Sequence, residues 1–111
     1  MSAQTSTILA NPIATPSIAD EPAVVAAIGN TPLVPLRRIA ADAGLPADIE
    51  LWLKAEWVNP GGSIKDRPAL WIVRDALAAG RLGAGQVLLD ATSGNTGIAY
   101  AMLGAAFGFP V

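Results

Sequence analysis

A loop rich in glycine and proline interrupts the middle of the chain and forces it to turn. Residues 59–68 read NPGGSIKDRP, between an alternating pattern at 49–54 and a helical pattern that follows the loop. Proline and two adjacent glycines are poorly suited to continuing a strand. Ser63 and Asp66 have the spacing of a capping box, and Pro68 is tolerated because first-turn amides have no intrahelical partner. The segment therefore predicts a strand, a tight loop and a helix in succession.

Lys65 lies at the start of this predicted helix, where the helix dipole disfavours a second positive charge. One interpretation is an ordinary surface lysine that pairs with Asp66 or another acidic neighbour, which is the usual state of a lysine. The other is an amine kept uncharged by the helix end and by Arg67, which an imine-forming lysine requires. The local residues alone leave both interpretations open.

Strand-like and helix-like patterns alternate along the chain. In order, they predict a helix at 22–28, an extended edge segment at 31–36, a helix at 37–43, a half-buried strand at 49–54, a helix at 66–79, a strand at 86–90 and an apolar helix from 96 onward. This order is typical of an α/β fold with a parallel sheet built from βαβ units. Loops at the carboxyl ends of such strands meet at one ligand crevice. Lys65 and Asn95 are about 30 residues apart, close to one βαβ repeat, so we expect both at that crevice.

Composition excludes several kinds of site. The 111 residues are 52% hydrophobic and only 14% charged, so we expect large apolar patches or packing against a further structure. The net charge of −2 argues against a nucleic-acid partner. Without cysteine or histidine, a disulfide, a zinc site of the usual ligands and a Ser-His triad are all excluded within the chain.

The first twenty residues show no sustained period, and we predict a flexible leader at 1–20 followed by one domain at 21–111. No basic residue precedes Arg37, which disfavours a secretory signal or transit peptide. The uncharged stretch 91–111 suits a buried helix better than a membrane span. These features predict a cytoplasmic protein without a membrane partner.

Three segments resemble the cysteine synthase and cystathionine β-synthase family of pyridoxal-phosphate enzymes. They are IGNTPL at 28–33, NPGGSIKDR at 59–67 and TSGNTG at 92–97, and they stand in the family's order. The resemblance runs from about residue 23 to the end of the chain. It implies the N-terminal domain of pyridoxal-phosphate fold type II, with parallel-sheet βαβ layers, truncated before the second domain.

The resemblance also assigns roles to individual residues. Lys65 becomes the catalytic lysine that binds pyridoxal 5′-phosphate as an imine and later moves the substrate's α-proton. Asn95 becomes the second cofactor-binding residue, through a hydrogen bond to the cofactor's 3′-oxygen, although its residue type alone favours a simple turn. The substrate carboxylate would bind an amide-lined loop that doubles as a helix cap and comprises Thr92, Ser93, Gly94, Thr96 and Gly97.

Other residues of these segments receive no chemical role. We interpret Asp66 and Arg67 as structural, and segment 29–33 as a family mark without assigned chemistry. Gly61 and Gly62 either allow close backbone approach or simply form a turn. The three tryptophans are interpreted as packing residues.

The resemblance implies an enzyme that replaces the leaving group of O-acetylserine or O-phosphoserine with sulfide and forms L-cysteine. Its cofactor is pyridoxal 5′-phosphate, and the full-length protein is expected to form a homodimer. A cystathionine β-synthase-like enzyme is one alternative, and a non-catalytic partner or regulatory module of such an enzyme is another. The family's phosphate-binding loop and the partner of the pyridine nitrogen do not occur in these 111 residues. We therefore expect an N-terminal portion that is inactive by itself.

Overall fold

The computed structural model describes residues 21–111. The elements in chain order are α1 (Ala23–Ala26), β1 (Leu33–Pro35), α2 (Arg37–Asp42), β2 (Trp52–Lys54), a 3₁₀ turn (Glu56–Val58), α3 (Asp66–Ala78) and α4 (Asn95–Phe107). The four predicted helices are therefore confirmed within a few residues at each end. The predicted leader 1–20 lies outside the described residues.

Helix α3 forms where the helical pattern predicted it and ends at Gly80, whose φ of +67° is typical of a glycine that terminates a helix. Its buried face contains Ala69, Leu70 and Val73. The spacing of the apolar residues at 69, 72, 73, 76 and 77 predicts a single face that includes Ile72, and this is wrong for Ile72, which is 53% exposed. The buried stripe passes through Leu70 instead, since that side of the helix packs against α4 and α1.

Helix α4 is apolar on nearly every side and is exposed mainly along one stripe, which contains Ile98, Ala101 and Ala105. Ala99, Tyr100, Leu103 and Gly104 are buried, whereas Ile98 is 53% exposed. The predicted buried helix is therefore confirmed for most of its circumference, since every residue of α4 outside that stripe and Asn95 is buried or half-buried within residues 21–111. Leu103 and Val73 are fully buried and belong to one core with Val25 of α1. None of the helices between residues 21 and 111 combines the length and apolar character that a transmembrane span requires.

The sheet differs from the predicted parallel arrangement. Strands β1 and β2 pair antiparallel, with Leu33 opposite Lys54 and Pro35 opposite Trp52. The predicted strand 86–90 forms no ladder in the described part of the chain. A single backbone hydrogen bond of 3.0 Å, from Leu88 N–H to the Pro110 carbonyl oxygen, joins it to the C-terminal segment. One bond does not make a ladder, so the parallel βαβ layering is not confirmed by residues 21–111.

The predicted half-buried strand at 49–54 is shorter and more exposed than expected. Only Trp52–Lys54 pairs with β1, and all three residues are exposed. Alternation buries one face of a strand only when a further layer covers that face, and no such layer packs there among the described residues. Many large apolar side chains are therefore exposed, including Leu33, Ile49, Trp52, Trp57, Ile64, Trp71, Val87 and Leu89. The tryptophans at 52, 57 and 71 do not pack into the described core, which corrects their expected role.

Candidate functional site

Lys65 immediately precedes α3, and its backbone is already helical, with φ −67° and ψ −21°. Its side chain is exposed. Between residues 21 and 111 it forms no ion pair and no side-chain hydrogen bond. The expected pairing with Asp66 is absent, because Asp66 is fully buried and contacts the loop on its other side.

The loop that contains Lys65 is closed by hydrogen bonds of its own. Ser63 Oγ accepts the Lys65 N–H at 3.1 Å, and Asp66 Oδ2 accepts the Gly61 N–H at 2.5 Å. The predicted capping box between Ser63 and Asp66 is therefore wrong, since Asp66 reaches two residues further back. Gly62 has a φ of +79°, which favours glycine, so it serves as a turn residue.

Gly61 allows the close approach that the sequence left as one of two possibilities. A β-carbon at Gly61 would lie 2.2 Å from Asp66 Oδ1, far inside van der Waals contact. Oδ1 itself has no hydrogen-bond partner among the described residues. The carboxyl group of Asp66 thus occupies the space that any other side chain at position 61 would need.

A polar network surrounds Glu56, just before the Lys65 loop. Arg67 donates from Nε to Glu56 Oε2 at 2.8 Å and from Nη2 to Oε1 at 3.0 Å. Asn59 Nδ2 donates to Oε2 at 2.8 Å, and the Thr31 hydroxyl donates to Oε1 at 3.0 Å. Four donors therefore satisfy both oxygens of this carboxylate.

These contacts shift the pKa values of both charged partners. The hydrogen bonds from Arg67, together with those from Asn59 and Thr31, lower the pKa of Glu56 to about 2 against the opposing effect of desolvation. The hydrogen bond to Glu56 raises the pKa of Arg67. At neutral pH the pair is fully charged, and the positive charge of Arg67 is directed at Glu56.

The second candidate loop, residues 92–97, precedes α4. Thr92 Oγ1 accepts the N–H groups of Gly97 at 3.2 Å and, more weakly, of Gly94 at 3.4 Å. The N–H groups of Asn95 and Thr96 belong to the first turn and have no intrahelical acceptor. A β-carbon at Gly94 would meet nothing within 4 Å, so the space beside the loop is open. The side chains of Ser93 and Asn95 are exposed. The loop therefore presents small side chains and first-turn amides to an open surface.

The two loops are related through the helices that follow them. Lys65 precedes α3, Asn95 begins α4, and the two helices pack against each other. No hydrogen bond links the two loops within the described part of the chain. In the same part, no group of three or more His, Cys, Asp or Glu side chains is arranged to hold a metal ion.

Sequence reasoning missed the network around Glu56. Thr31, Glu56 and Arg67 are far apart in sequence, and no periodic pattern connects them. The available signal was an acidic residue between Ala55 and Trp57 in an otherwise apolar stretch, which needs a partner if it is covered. Arg67, interpreted as structural, is that partner.

Comparison with known proteins gives the same assignment as the three sequence segments. Residues 24–111 match the family described as pyridoxal-phosphate dependent enzyme. The chain is 56% identical over 84 residues to cysteine synthase of Aquifex aeolicus, which covers 76% of this chain and 25% of that protein. It is 46% identical over 88 residues to cystathionine β-synthase of Rattus norvegicus, which covers 79% of this chain and 15% of that protein.

A solved structure shares the fold as well. The crystal structure of O-ureido-L-serine synthase superimposes with a TM-score of 0.67 at 46% identity, over 78% of this chain and 26% of that chain. The present chain thus spans about a quarter of the length of the cysteine synthase and of this solved structure. The family match extends over most of the chain, and the chain therefore belongs to the family of pyridoxal-phosphate dependent enzymes.

Proposed function

We propose that the Lys65 loop and the 92–97 loop contribute to the active site of a β-replacement enzyme of the cysteine synthase type. Such an enzyme exchanges the leaving group of O-acetylserine or O-phosphoserine for sulfide and forms L-cysteine. The observation that supports this most directly is the exposed amine of Lys65 at the start of α3, which has no ion-pair partner among residues 21–111, in a chain that belongs to this family.

The described residues fit pyridoxal phosphate in two respects. An aldehyde reacts with an amine that is accessible and not engaged in an ion pair, and Lys65 meets both conditions within residues 21–111. When bound, pyridoxal phosphate supplies the electron sink that makes the α-proton of an amino acid removable.

Each candidate residue then has a definite task. Lys65 would hold the cofactor through its amine, and the same amine would serve as general base and acid for the α-proton of the substrate. The Asn95 side-chain amide would donate a hydrogen bond to the cofactor. The loop comprising Thr92, Ser93, Gly94, Thr96 and Gly97 binds the substrate carboxylate, because first-turn amides and the helix dipole favour an anion there.

The second substrate is the least constrained part of the proposal. Similarity to cystathionine β-synthase favours, as an alternative, an enzyme that shares the first half of the reaction but accepts a larger thiol. The exposed apolar side chains favour a further alternative, a non-catalytic partner or regulatory module that packs against a related enzyme. Homodimerisation and a cytoplasmic location stay predictions.

The cofactor role is tested by mapping where pyridoxal phosphate attaches. Lys54 and Lys65 are the two lysines of the chain, and the Lys54 amine donates to the Thr31 carbonyl oxygen. We expect titration of the full chain to produce the visible absorbance of a lysine adduct, and borohydride reduction with peptide mass spectrometry to locate it at Lys65. Lys65→Ala should abolish the signal, and the control Lys54→Ala should retain it.

A second experiment distinguishes a lysine amine that is merely accessible from one at a site that recognises pyridoxal phosphate. A simple aliphatic aldehyde reports which amine is accessible, so the Lys65-to-Lys54 ratio should be higher for pyridoxal phosphate than for that aldehyde. Equal ratios, or an unchanged signal in Lys65→Ala, would overturn the cofactor role and leave the non-catalytic module as the better explanation.

Asn95→Ala should weaken pyridoxal phosphate binding roughly 2- to 10-fold, the range for one lost hydrogen bond. The matched control is Gln86→Ala, which removes an exposed amide outside both loops.

A further inference from the structure

Segment 29–31 has no task in the proposed function, yet its groups contact both ends of the Lys65 loop. The Gly29 N–H donates to Asn59 Oδ1 at 2.9 Å, and Thr31 Oγ1 accepts from Arg67 Nη2 at 3.1 Å. Asn59 and Thr31 are buried, with 3% and 5% exposure. Asn59 is the first residue of that loop, and Arg67 lies in the first turn of α3, two residues after Lys65, so the segment is bonded on both sides of Lys65.

The shape of segment 29–31 suits these contacts. Gly29 and Asn30 both have positive φ, +89° and +46°, which produces a tight turn. A β-carbon at Gly29 would lie 3.0 Å from Arg67 Nη1, so a glycine leaves room for the guanidinium. The turn therefore directs one N–H group at Asn59 and leaves space for Arg67.

Glu56 joins all of these groups. Its two oxygens accept from Arg67, Asn59 and Thr31, and its side chain is only 17% exposed. Hydrogen bonds to a charged acceptor are roughly twice as strong as neutral ones, and a bidentate arginine also fixes direction. A single carboxylate thus accepts hydrogen bonds from Asn59 and from Arg67, one on each side of Lys65.

We propose that Glu56 is a positioning residue for Lys65, and that segment 29–31 acts by completing the network around it. With Asn59 and Arg67 fixed, the residues between them are anchored at both ends, and Asp66, the first residue of α3, accepts a hydrogen bond from the Gly61 N–H. The amine of Lys65 is then presented from one backbone geometry instead of many. This consequence for cofactor attachment rests on the proposed function, whereas the ordering of the loop does not.

Glutamine cannot replace the carboxylate in this network. It has one acceptor oxygen, and its NH₂ group would face the donors of Arg67, Asn59 or Thr31. Likewise, valine at position 31 keeps the shape of threonine but removes the hydroxyl that both donates and accepts, whereas serine keeps that hydroxyl. Glu56→Gln, Thr31→Val and Thr31→Ser are therefore the informative variants.

The matched control is Glu50→Gln, the same chemical change at an exposed glutamate whose only described side-chain partner is Trp52 Nε1. Each variant of the full chain is mixed with ¹⁵N-labelled wild type in the same tube. Two quantities are measured, namely hydrogen exchange of peptides that span 59–67 and the rate of pyridoxal phosphate attachment at Lys65. Peptides from α4 report whether the core itself has loosened.

We expect Glu56→Gln and Thr31→Val to accelerate exchange at 59–67 and to slow attachment at Lys65, each roughly 2- to 10-fold, with exchange in α4 unchanged. Thr31→Ser should restore both quantities, and Glu50→Gln should match wild type. If Glu56→Gln does not fold, the Thr31→Val and Thr31→Ser pair decides the question.

The positioning role would be overturned if Glu56→Gln and Thr31→Val both behaved like Glu50→Gln. In that case neither the hydrogen exchange of the 59–67 peptides nor the rate of pyridoxal phosphate attachment at Lys65 would change. Equal acceleration across α4 would overturn it too, because that pattern means a general loss of stability. If wild-type Lys65 shows no preference for pyridoxal phosphate, the proposed function fails by itself. The exchange of the 59–67 peptides then still decides whether Glu56 orders the loop.

Discussion

Gly61 and Asp66 illustrate how a tertiary contact restricts a single residue. Asp66 is fully buried, its Oδ2 accepts the Gly61 N–H, and its Oδ1 lies where a β-carbon of residue 61 would be. A glycine in a turn usually reflects backbone freedom, but here the requirement is space. The two residues are therefore coupled, and a change at either should disturb the loop that contains Lys65.

Gly61→Ala should destabilise the chain by about 1 to 3 kcal/mol, because the added methyl group must displace a buried carboxyl group. Chemical denaturation of the full chain measures this difference. The control is Gly83→Ala, where the new β-carbon would meet only the Gln86 side chain at 3.5 Å. A loss no larger than that of the control would contradict the coupling of Gly61 to Asp66.

The carboxylate of Glu56 gives a pH dependence whose sign is fixed by its pKa. The pKa is about 2 in the folded chain, against an ordinary value of 4.5. As pH falls, the unfolded chain therefore takes up this proton first, and the stabilisation present above pH 4.5 is lost between 4.5 and about 2. The difference in melting temperature between wild type and Glu56→Gln should narrow over that interval. A difference that stays constant from pH 7 to pH 2 would contradict the network seen here.

At the scale of elements, the packing of α3 against α4 forms the main core of the described residues. Leu103 and Val73 are fully buried, and Val25 of α1 completes the same cluster. At Gly104 the C-terminal segment approaches closely, since a β-carbon there would lie 2.8 Å from the Phe109 carbonyl oxygen. The two helices that follow the candidate loops are thus the elements with the most buried surroundings.

Leu103→Ala should lower the free energy of unfolding by about 2 to 5 kcal/mol, the range for truncating a large side chain in a packed core. Leu89→Ala provides the control for the same chemical change, because Leu89 is 93% exposed, and it should alter stability by no more than about 0.5 kcal/mol. Urea denaturation of both variants tests the comparison. Similar losses for the two would mean that α3 and α4 do not form the core described here.

At the scale of the molecule, residues 21–111 divide into a packed part and a thinly packed part. All residues of β1 and β2 are exposed, and α2 has no buried residue, whereas α1, α3 and α4 share one core. A two-stranded sheet without a covering layer is marginally stable in water. Local opening should therefore differ between the two parts.

Hydrogen exchange should be slower in peptides from α3 and α4 than in peptides from β1 and β2. Leu103→Ala should accelerate exchange in the helices while leaving the strands nearly unchanged, because the strands do not depend on that core. Mass spectrometry of peptides from the full chain measures both. Strands as strongly protected as α4 would contradict this division.

The sequence by itself located the helices, because the spacing of apolar residues and the positions of glycine and proline act over a few neighbours. The start of α3 at Asp66 and its end before Gly80 follow from such local rules. The three family segments also identified Lys65 and the 92–97 loop as candidates, which remain proposals. The predicted parallel sheet is not confirmed among the described residues, because strand pairing depends on which segments distant in sequence are available to form hydrogen bonds.

What only the tertiary structure decided are the contacts between residues far apart in sequence. The partners of Glu56, the turn of Asp66 towards Gly61 and the choice of Leu70 over Ile72 for the core all belong to this class. Local propensity does not predict these contacts, because the free energy of a buried charge or a close contact depends on atoms that only folding brings together. The local sequence determined which helices form, and tertiary packing determined which strands pair and which polar groups meet.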